Sequence, residues 1–157
     1  MIMKISLIFT VLNESENITR LLNSIVKQSK VPHEVVVVDG GSSDNTLEIL
    51  HDFAKNHKSL QMKIISQPGA TRSAGRNLAI REANYAVIAC TDAGCRLHKN
   101  WLEEISKPFD DPKVQAVIGN YNVVTDNLWQ RAPAAAASTN LGNKSDIQVL
   151  ASSRSFA

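Results

Sequence analysis

At 157 residues, 43% hydrophobic and 20% charged, the chain has the composition of one soluble globular domain with a sizeable core, which excludes disordered and fibrous classes. A formal net charge of +2, with Lys and Arg scattered along the sequence, is too slight to announce nucleic acid or an anionic membrane as a partner, and no nucleic-acid partner is expected. Two cysteines, Cys90 and Cys95, make neither a disulfide framework nor a zinc knuckle; a reducing, cytoplasmic setting is the expectation.

The apolar stretch 2–12 is interrupted by Lys4, lacks a small-residue cleavage site and falls short of the ~20 residues a membrane span needs. Its segment 5–12 reads as a buried strand that stops at Asn13-Glu14. Asn13 with Glu16 three residues on predicts a helix start, and Ile18, Leu21, Leu22, Ile25 and Val26 recur on one helical face up to about Ser29. Beyond Pro32 the valines 35–38 predict a central strand covered on both faces, closed by the polar loop 39–44. Asp44 is placed to cap a second helix that turns Leu47, Leu50, Phe53 and Ala54 inward. Residues 62–65 then predict a short strand, 71–83 a third helix and 85–90 another buried strand, ending at Thr91-Asp92-Ala93-Gly94-Cys95. This alternation predicts an α/β fold: a three-layer, mostly parallel, doubly wound sheet with helices on both faces. Later, 99–105 reads as a helix, 114–118 and 121–125 as strands, and the Ala-rich 132–137 as a weak helix. No internal repeat or linker divides the chain, so 1–157 is expected to be one domain, with 126–157 as its least defined tail.

In an open parallel sheet, ligands bind where the carboxyl ends of the strands gather. Asn13-Glu14, Asp39 and Asp92 all follow apolar runs and so share that edge. Gly40-Gly41 allows close backbone approach or a turn. There is no G-x-G-x-x-G after the first strand and no G-x-x-x-x-G-K-[ST] anywhere, which argues against dehydrogenase and P-loop kinase chemistry. Arg72 and Arg76, four residues apart, share one face of the third helix. His33, His51 and His57 read as solvated residues, and Cys95 as a small buried one.

Asn13-Glu14, the run Val-Val-Val-Asp39-Gly-Gly-Ser-Ser-Asp44-Asn-Thr46, Gly75-Arg76-Asn77-Leu78-Ala79 and Thr91-Asp92-Ala93-Gly94, in that order, resemble family 2 glycosyltransferases over about residues 5–154. The resemblance implies a GT-A, Rossmann-like nucleotide-diphospho-sugar transferase fold. It also implies an inverting transfer, in which an acceptor hydroxyl on a sugar, lipid or polysaccharide displaces a nucleoside diphosphate from a sugar. On that resemblance the donor-binding residues are Thr10, Asn13, Glu14, Asp39, Gly40, Gly41, Arg72, Arg76, Asp92 and Ala93, with Asp39 reading the base. Asp92 matches the first acid of the family's D-x-D motif and is the expected ligand of a divalent cation, Mg²⁺ or Mn²⁺. Gly94 stands where the second acid is expected, which leaves one carboxylate, with His98 as a candidate helper. Gly40 in place of an Asp, and Thr10-Val11-Leu12 in place of Pro-Thr-Tyr, point to a subfamily.

The family's general base lies in a later segment reading like Gly-Glu-Asp, and no such segment occurs here; Asp126 and Asp146 are the acids left as substitutes. The expectation is therefore the nucleotide-binding part of a longer protein, binding donor with little turnover. Self-association through uncovered apolar surface is expected, as is action at the cytoplasmic face of a membrane in the longer protein. A non-catalytic nucleotide-sugar-binding module is the alternative.

Overall fold

A computed structural model describes residues 3–119. Four parallel strands form one sheet in the order β3-β2-β1-β4: β1 (Ile5–Val11), β2 (Glu34–Asp39), β3 (Met62–Ser66) and β4 (Val87–Cys90). Helices α1 (Ile18–Val26), α2 (Thr46–Asn56) and α3 (Arg72–Glu82) make the crossovers, and α4 (Trp101–Ser106) follows β4. The register pairs Val11 with Asp39, and Asp39 in turn with Ser66, so the strands β1, β2 and β3 end level with one another.

The central strands have no exposed face because both sides of the sheet are covered. Ile8, Val36 and Val38 cluster with Ala79 of α3. The alternate residues Leu7, Phe9, Val35 and Val37 point to the opposite face and are equally buried. There α1 and α2 pack side by side and turn Ile18, Leu21, Leu22, Ile25 and Leu50 inward. Burying these side chains contributes about 1.5–3 kcal/mol each, which is what holds α1, only nine residues long, in helical form.

The approach of α3 to the sheet depends on Gly75. A Cβ there would lie 2.8 Å from Thr10 Cγ2 and 3.4 Å from Val38 Cγ1. At an exposed helical position Gly→Ala gains about 1 kcal/mol; here Gly75→Ala is expected to reverse sign, because overpacking costs about 1–3 kcal/mol. Thermal unfolding read by circular dichroism should show a midpoint lower by a few degrees. A raised midpoint would refute the close packing.

At the edge where the strands begin, Glu34 is buried, 4% exposed, and ties three strands together. Its carboxylate accepts from the Ser6 hydroxyl (2.5 Å), the Asn84 N–H (2.5 Å) and the Asn84 side-chain amide (2.6 Å), and Ser6 Oγ accepts from the Tyr85 N–H.

Some expectations are corrected. Asn13 does not cap α1: its φ of 54° puts it in the left-handed region and its Oδ1 accepts from the Ser43 N–H at 2.8 Å, while Asn17 occupies the cap position. Residues 114–118 form no strand; the Val114 N–H bonds locally to the Asp111 carbonyl, and apolar pattern without a ladder partner makes no strand. His33 and His57 are half-buried, His33 bonded to Ile5 and His57 stacked on Phe53 at 3.9 Å; only His51 of the three is exposed. Cys95 is only half-buried. The predicted strand 121–125, the helix 132–137, Asp126, Asp146 and the tail 126–157 lie outside the described residues.

By compactness the described residues divide into one unit up to Glu104 and a second from Ile105 onward. The described part of the second contains the 3-10 turn Lys107–Asp110, with Pro108 in its opening turn. Among the described residues no helix is long and apolar enough to cross a membrane.

Candidate functional site

The strand order places a topological switch between β1 and β4: the chain leaves β1 toward β2 on one side and returns to β4 on the other. Crossover loops part at such a point and leave a crevice beyond the carboxyl ends of the strands. Thr10, Asn13, Asp39, Gly40, Gly41 and Asp92 all come from these ends.

Asp39, at the last position of β2, is completely buried. Its Oδ2 accepts from the N–H groups of Gly41 (2.9 Å) and Ser42 (3.0 Å), and its Oδ1 accepts from the Ser42 hydroxyl. Gly41 has a φ of 100°, a conformation open to glycine and strained for other residues, so Asp39-Gly40-Gly41-Ser42 closes as a tight carboxylate-centred turn. Gly40 is needed for space: a Cβ there would sit 3.0 Å from the Ala70 carbonyl oxygen. Ser42 Oγ also accepts from the Asn13 N–H at 2.9 Å, coupling the loops after β1 and β2. Asp44 adds a second tie, accepting from the Thr46 N–H (3.0 Å) and hydroxyl (2.5 Å) and from the Ser15 N–H (3.1 Å). The Thr46 hydroxyl above all, with Ser15, holds its carboxyl far below the usual carboxylate range.

Across the crevice, Arg76 of α3 reaches Asp92, sixteen residues later, in an ion pair from the guanidinium to Oδ1. The partners differ in environment, the Arg76 side chain being 10% exposed and that of Asp92 34%. Arg76 Nε is buried with no hydrogen-bond partner. Thr71 caps α3, accepting from the Ala74 N–H at 3.2 Å, and so fixes the helix turn that carries Arg76. Thr10, half-buried, packs beneath this turn against Gly75.

The remaining expected residues are less gathered. Glu14 serves the start of α1: its N–H donates to Thr46 Oγ1 and its carbonyl accepts from Asn17 and Ile18. Arg72 is exposed in the first turn of α3. Ala93 is buried behind Asp92. At Gly94 an added Cβ would meet nothing within 4 Å, so no steric reason accounts for glycine where an acid was expected. His98 is fixed elsewhere, its carbonyl accepting from Gln28 Nε2 beyond the end of α1. Among the described residues no three His, Cys, Asp or Glu side chains converge as a metal cage. Ser42, which joins Asp39 to Asn13, was missed by the sequence reading; its signal was the Asp-Gly-Gly-Ser turn itself.

The sequence pattern described as Glycosyl transferase family 2 matches residues 6–154. The chain belongs to that family. Among curated proteins this family 2 chain is 33% identical over 145 residues to glycosyltransferase AglE of Haloferax volcanii, covering 91% of the chain and 47% of the relative. It is 32% identical to a poly-beta-1,6-N-acetyl-D-glucosamine synthase of Staphylococcus epidermidis, covering 74% of the chain and 28% of the relative. Among solved structures it resembles S. aureus TarS 1-349 in complex with UDP-GlcNAc at a TM-score of 0.61 and 28% identity, covering 78% of the chain and 37% of that structure. It also resembles the mannosyltransferase PcManGT from Pyrobaculum calidifontis in complex with GDP-Man and Mn²⁺, at a TM-score of 0.68 and 28% identity, covering 73% of the chain and 34% of that structure. The family and these neighbours establish the GT-A fold that the resemblance implied, and the four parallel strands bear out the alternation. The chain spans about half the length of the first of these relatives and about a quarter of the second.

Proposed function

We propose that this family 2 chain is the donor-binding part of an inverting glycosyltransferase, which moves a sugar from a nucleoside diphosphate to a hydroxyl of a sugar, lipid or polysaccharide acceptor. The observation that carries this reading is the Arg76–Asp92 pair set at the switch point opposite the Asp39 turn. A cation and a carboxylate side by side at the switch point support a site for a diphosphate and its counter-ion. Neighbours in complex with UDP-GlcNAc and with GDP-Man support the donor class.

Each residue then has a task. Asp39 accepts from a ring N–H of the base, which takes the place of the Ser42 hydroxyl while the Gly41 and Ser42 N–H groups keep the carboxylate oriented. Asn13, Glu14, Gly40 and Gly41 shape the base and ribose wall. Arg76 and the exposed Arg72 face the leaving diphosphate, whose growing charge they offset. Asp92, backed by Ala93, is the carboxylate for a divalent cation, because one of its oxygens is taken by Arg76 and the other is left for the metal. Such a donor set suits Mg²⁺ or Mn²⁺ completed by phosphate oxygens and water. When bound, that ion neutralises diphosphate charge.

Calorimetric titration with UDP-GlcNAc and GDP-mannose, each with and without Mn²⁺, tests the proposal. Selective binding to one donor, strengthened by Mn²⁺ and weakened tenfold or more in Asp39→Ala, is the expected result. Binding of neither donor, or equal affinity in Asp39→Ala, would place the site elsewhere. A non-catalytic nucleotide-sugar-binding module is favoured by the open position at Gly94, where an acid would fit and none is present. Transfer of labelled sugar to an acceptor distinguishes it from the enzyme.

A further inference from the structure

A second concave surface lies on the flank of α1. Arg20, Asn23, Ser24 and Lys27 form one wall and Arg96, Leu97 and Lys99 the other, enclosing a groove of about 670 Å³. None of these residues belongs to the donor site. The helix wall follows the i, i+3, i+4, i+7 spacing, so its cations lie on a single stripe about 10 Å long. The second wall is locked to it: the Leu97 N–H donates to Ser24 Oγ at 3.0 Å, and the Ser29 N–H donates to the Lys99 carbonyl at 2.8 Å.

The charge in this groove is unbalanced. Arg20, Lys27, Arg96 and Lys99 are all exposed, and no carboxylate pairs with any of them among the described residues. In a chain of net charge +2, four unpaired cations in one groove concentrate more positive charge than the whole molecule carries. Repulsion among them is a cost that an anionic ligand removes. The form of the patch favours several phosphates over one. Arg20 and Lys27 stand two helical turns apart on one wall, Arg96 and Lys99 belong to the other, and Leu97 beside them is half-buried. That combination matches a sheet of anionic headgroups with exposed glycerol and acyl edges.

We propose that this groove docks the chain on a phospholipid surface by binding headgroup phosphates. The loop carrying Asp92 continues directly into the Arg96–Lys99 wall, so docking seats the donor-site loop against the same surface. The inference stands on the groove alone and does not require the donor reading.

The test is co-sedimentation of the 157-residue chain with vesicles of phosphatidylglycerol and phosphatidylcholine in equal parts, and with vesicles of phosphatidylcholine alone. Binding is expected to the first and not to the second, and to weaken steeply with salt. Each basic residue near such a surface strengthens partitioning about fivefold. Arg20→Glu, Lys27→Glu, Arg96→Glu and Lys99→Glu combined should therefore lower it more than a hundredfold. A control reverses the same amount of charge elsewhere, at Lys55, Lys58, Arg81 and Lys113, and should stay within a few-fold of the parent. All eight positions are exposed, and circular dichroism verifies folding of both variants. An equal loss in the control would reduce the effect to net charge and overturn the proposal. So would absence of vesicle binding, whether or not inorganic pyrophosphate binds the groove; saturable pyrophosphate binding without vesicle binding would assign it to a soluble phosphate instead.

Discussion

Replacing Glu34 with alanine is expected to destabilise the fold by about 3 kcal/mol, the largest single-residue loss among the polar groups described, and to lower the unfolding midpoint by roughly 10 °C. The variant strands the Ser6 hydroxyl and two Asn84 donors at the buried entry to three strands. Each orphaned buried donor costs about 1–3 kcal/mol, and partial rehydration at Asn84, which is exposed, returns some of it. The pH dependence has a definite sign. Burial by itself would raise the Glu34 carboxyl, but hydrogen bonds from Ser6 and Asn84 and the charge of Lys63 outweigh it and hold the group below 4.5. A depressed carboxylate contributes stability that is present above the unfolded value and is lost as pH falls through the folded one. The gap between parent and Glu34→Ala should thus be full at pH 7 and narrow below about pH 4.5. Urea unfolding at pH 7 and pH 3.5 measures both; a gap under about 1 kcal/mol at pH 7, or one that widens in acid, would contradict the network described. Donor affinity should not change, since Glu34 lies at the opposite sheet edge from the crevice.

The second large effect concerns the Arg76–Asp92 pair and is asymmetric. Asp92→Ala leaves a guanidinium that is almost wholly buried without its carboxylate, and removal of one partner of a buried pair costs about 3–5 kcal/mol. Because Asp92 is one-third exposed, about 2 kcal/mol is the expected loss. Arg76→Met keeps most of the side-chain volume and leaves Asp92 able to take up water, so about 1 kcal/mol or less is expected. Both variants should weaken nucleotide binding tenfold or more, and Asp92→Ala should also abolish any strengthening by Mn²⁺. Equal stability losses in the two variants would mean that the pair is as wet on one side as on the other. Unchanged nucleotide affinity in both would remove the pair from the donor site.

What could be read without coordinates follows from where the information is local. Residues 5–11 and 34–39 announce themselves because a strand covered on both faces must be apolar at every position, and α1 does so because one face of it must be. The parallel arrangement followed from alternation, and with it the sheet edge that Asp39 ends and Asp92 follows. Non-local choices were not legible. Asn13 looks like a helix cap in its own neighbourhood, yet its side chain is claimed by Ser43, thirty residues on. Arg76 and Asp92 were each marked as site residues, but nothing in the sequence says that one neutralises the other. Residues 114–118 have the composition of a strand, and composition supplies no ladder partner. The groove beside α1 was invisible for the same reason, since its two walls are more than seventy residues apart.

The segment from Asp92 to Lys99 is tethered almost entirely through its main chain. The Cys95 N–H bonds the Asp92 carbonyl, the Leu97 N–H bonds Ser24, Gln28 holds the His98 carbonyl and the Ser29 N–H holds that of Lys99. Beyond the Asp92 ion pair and the buried Ala93, side chains from Gly94 to Lys99 are therefore free to vary without unfastening it. An acid can be lost at position 94, or a cation gained at 96, at little cost to folding. Substitutions can accumulate here as independent steps, so that the surface of this loop can be rebuilt while the sheet beneath it stays the same.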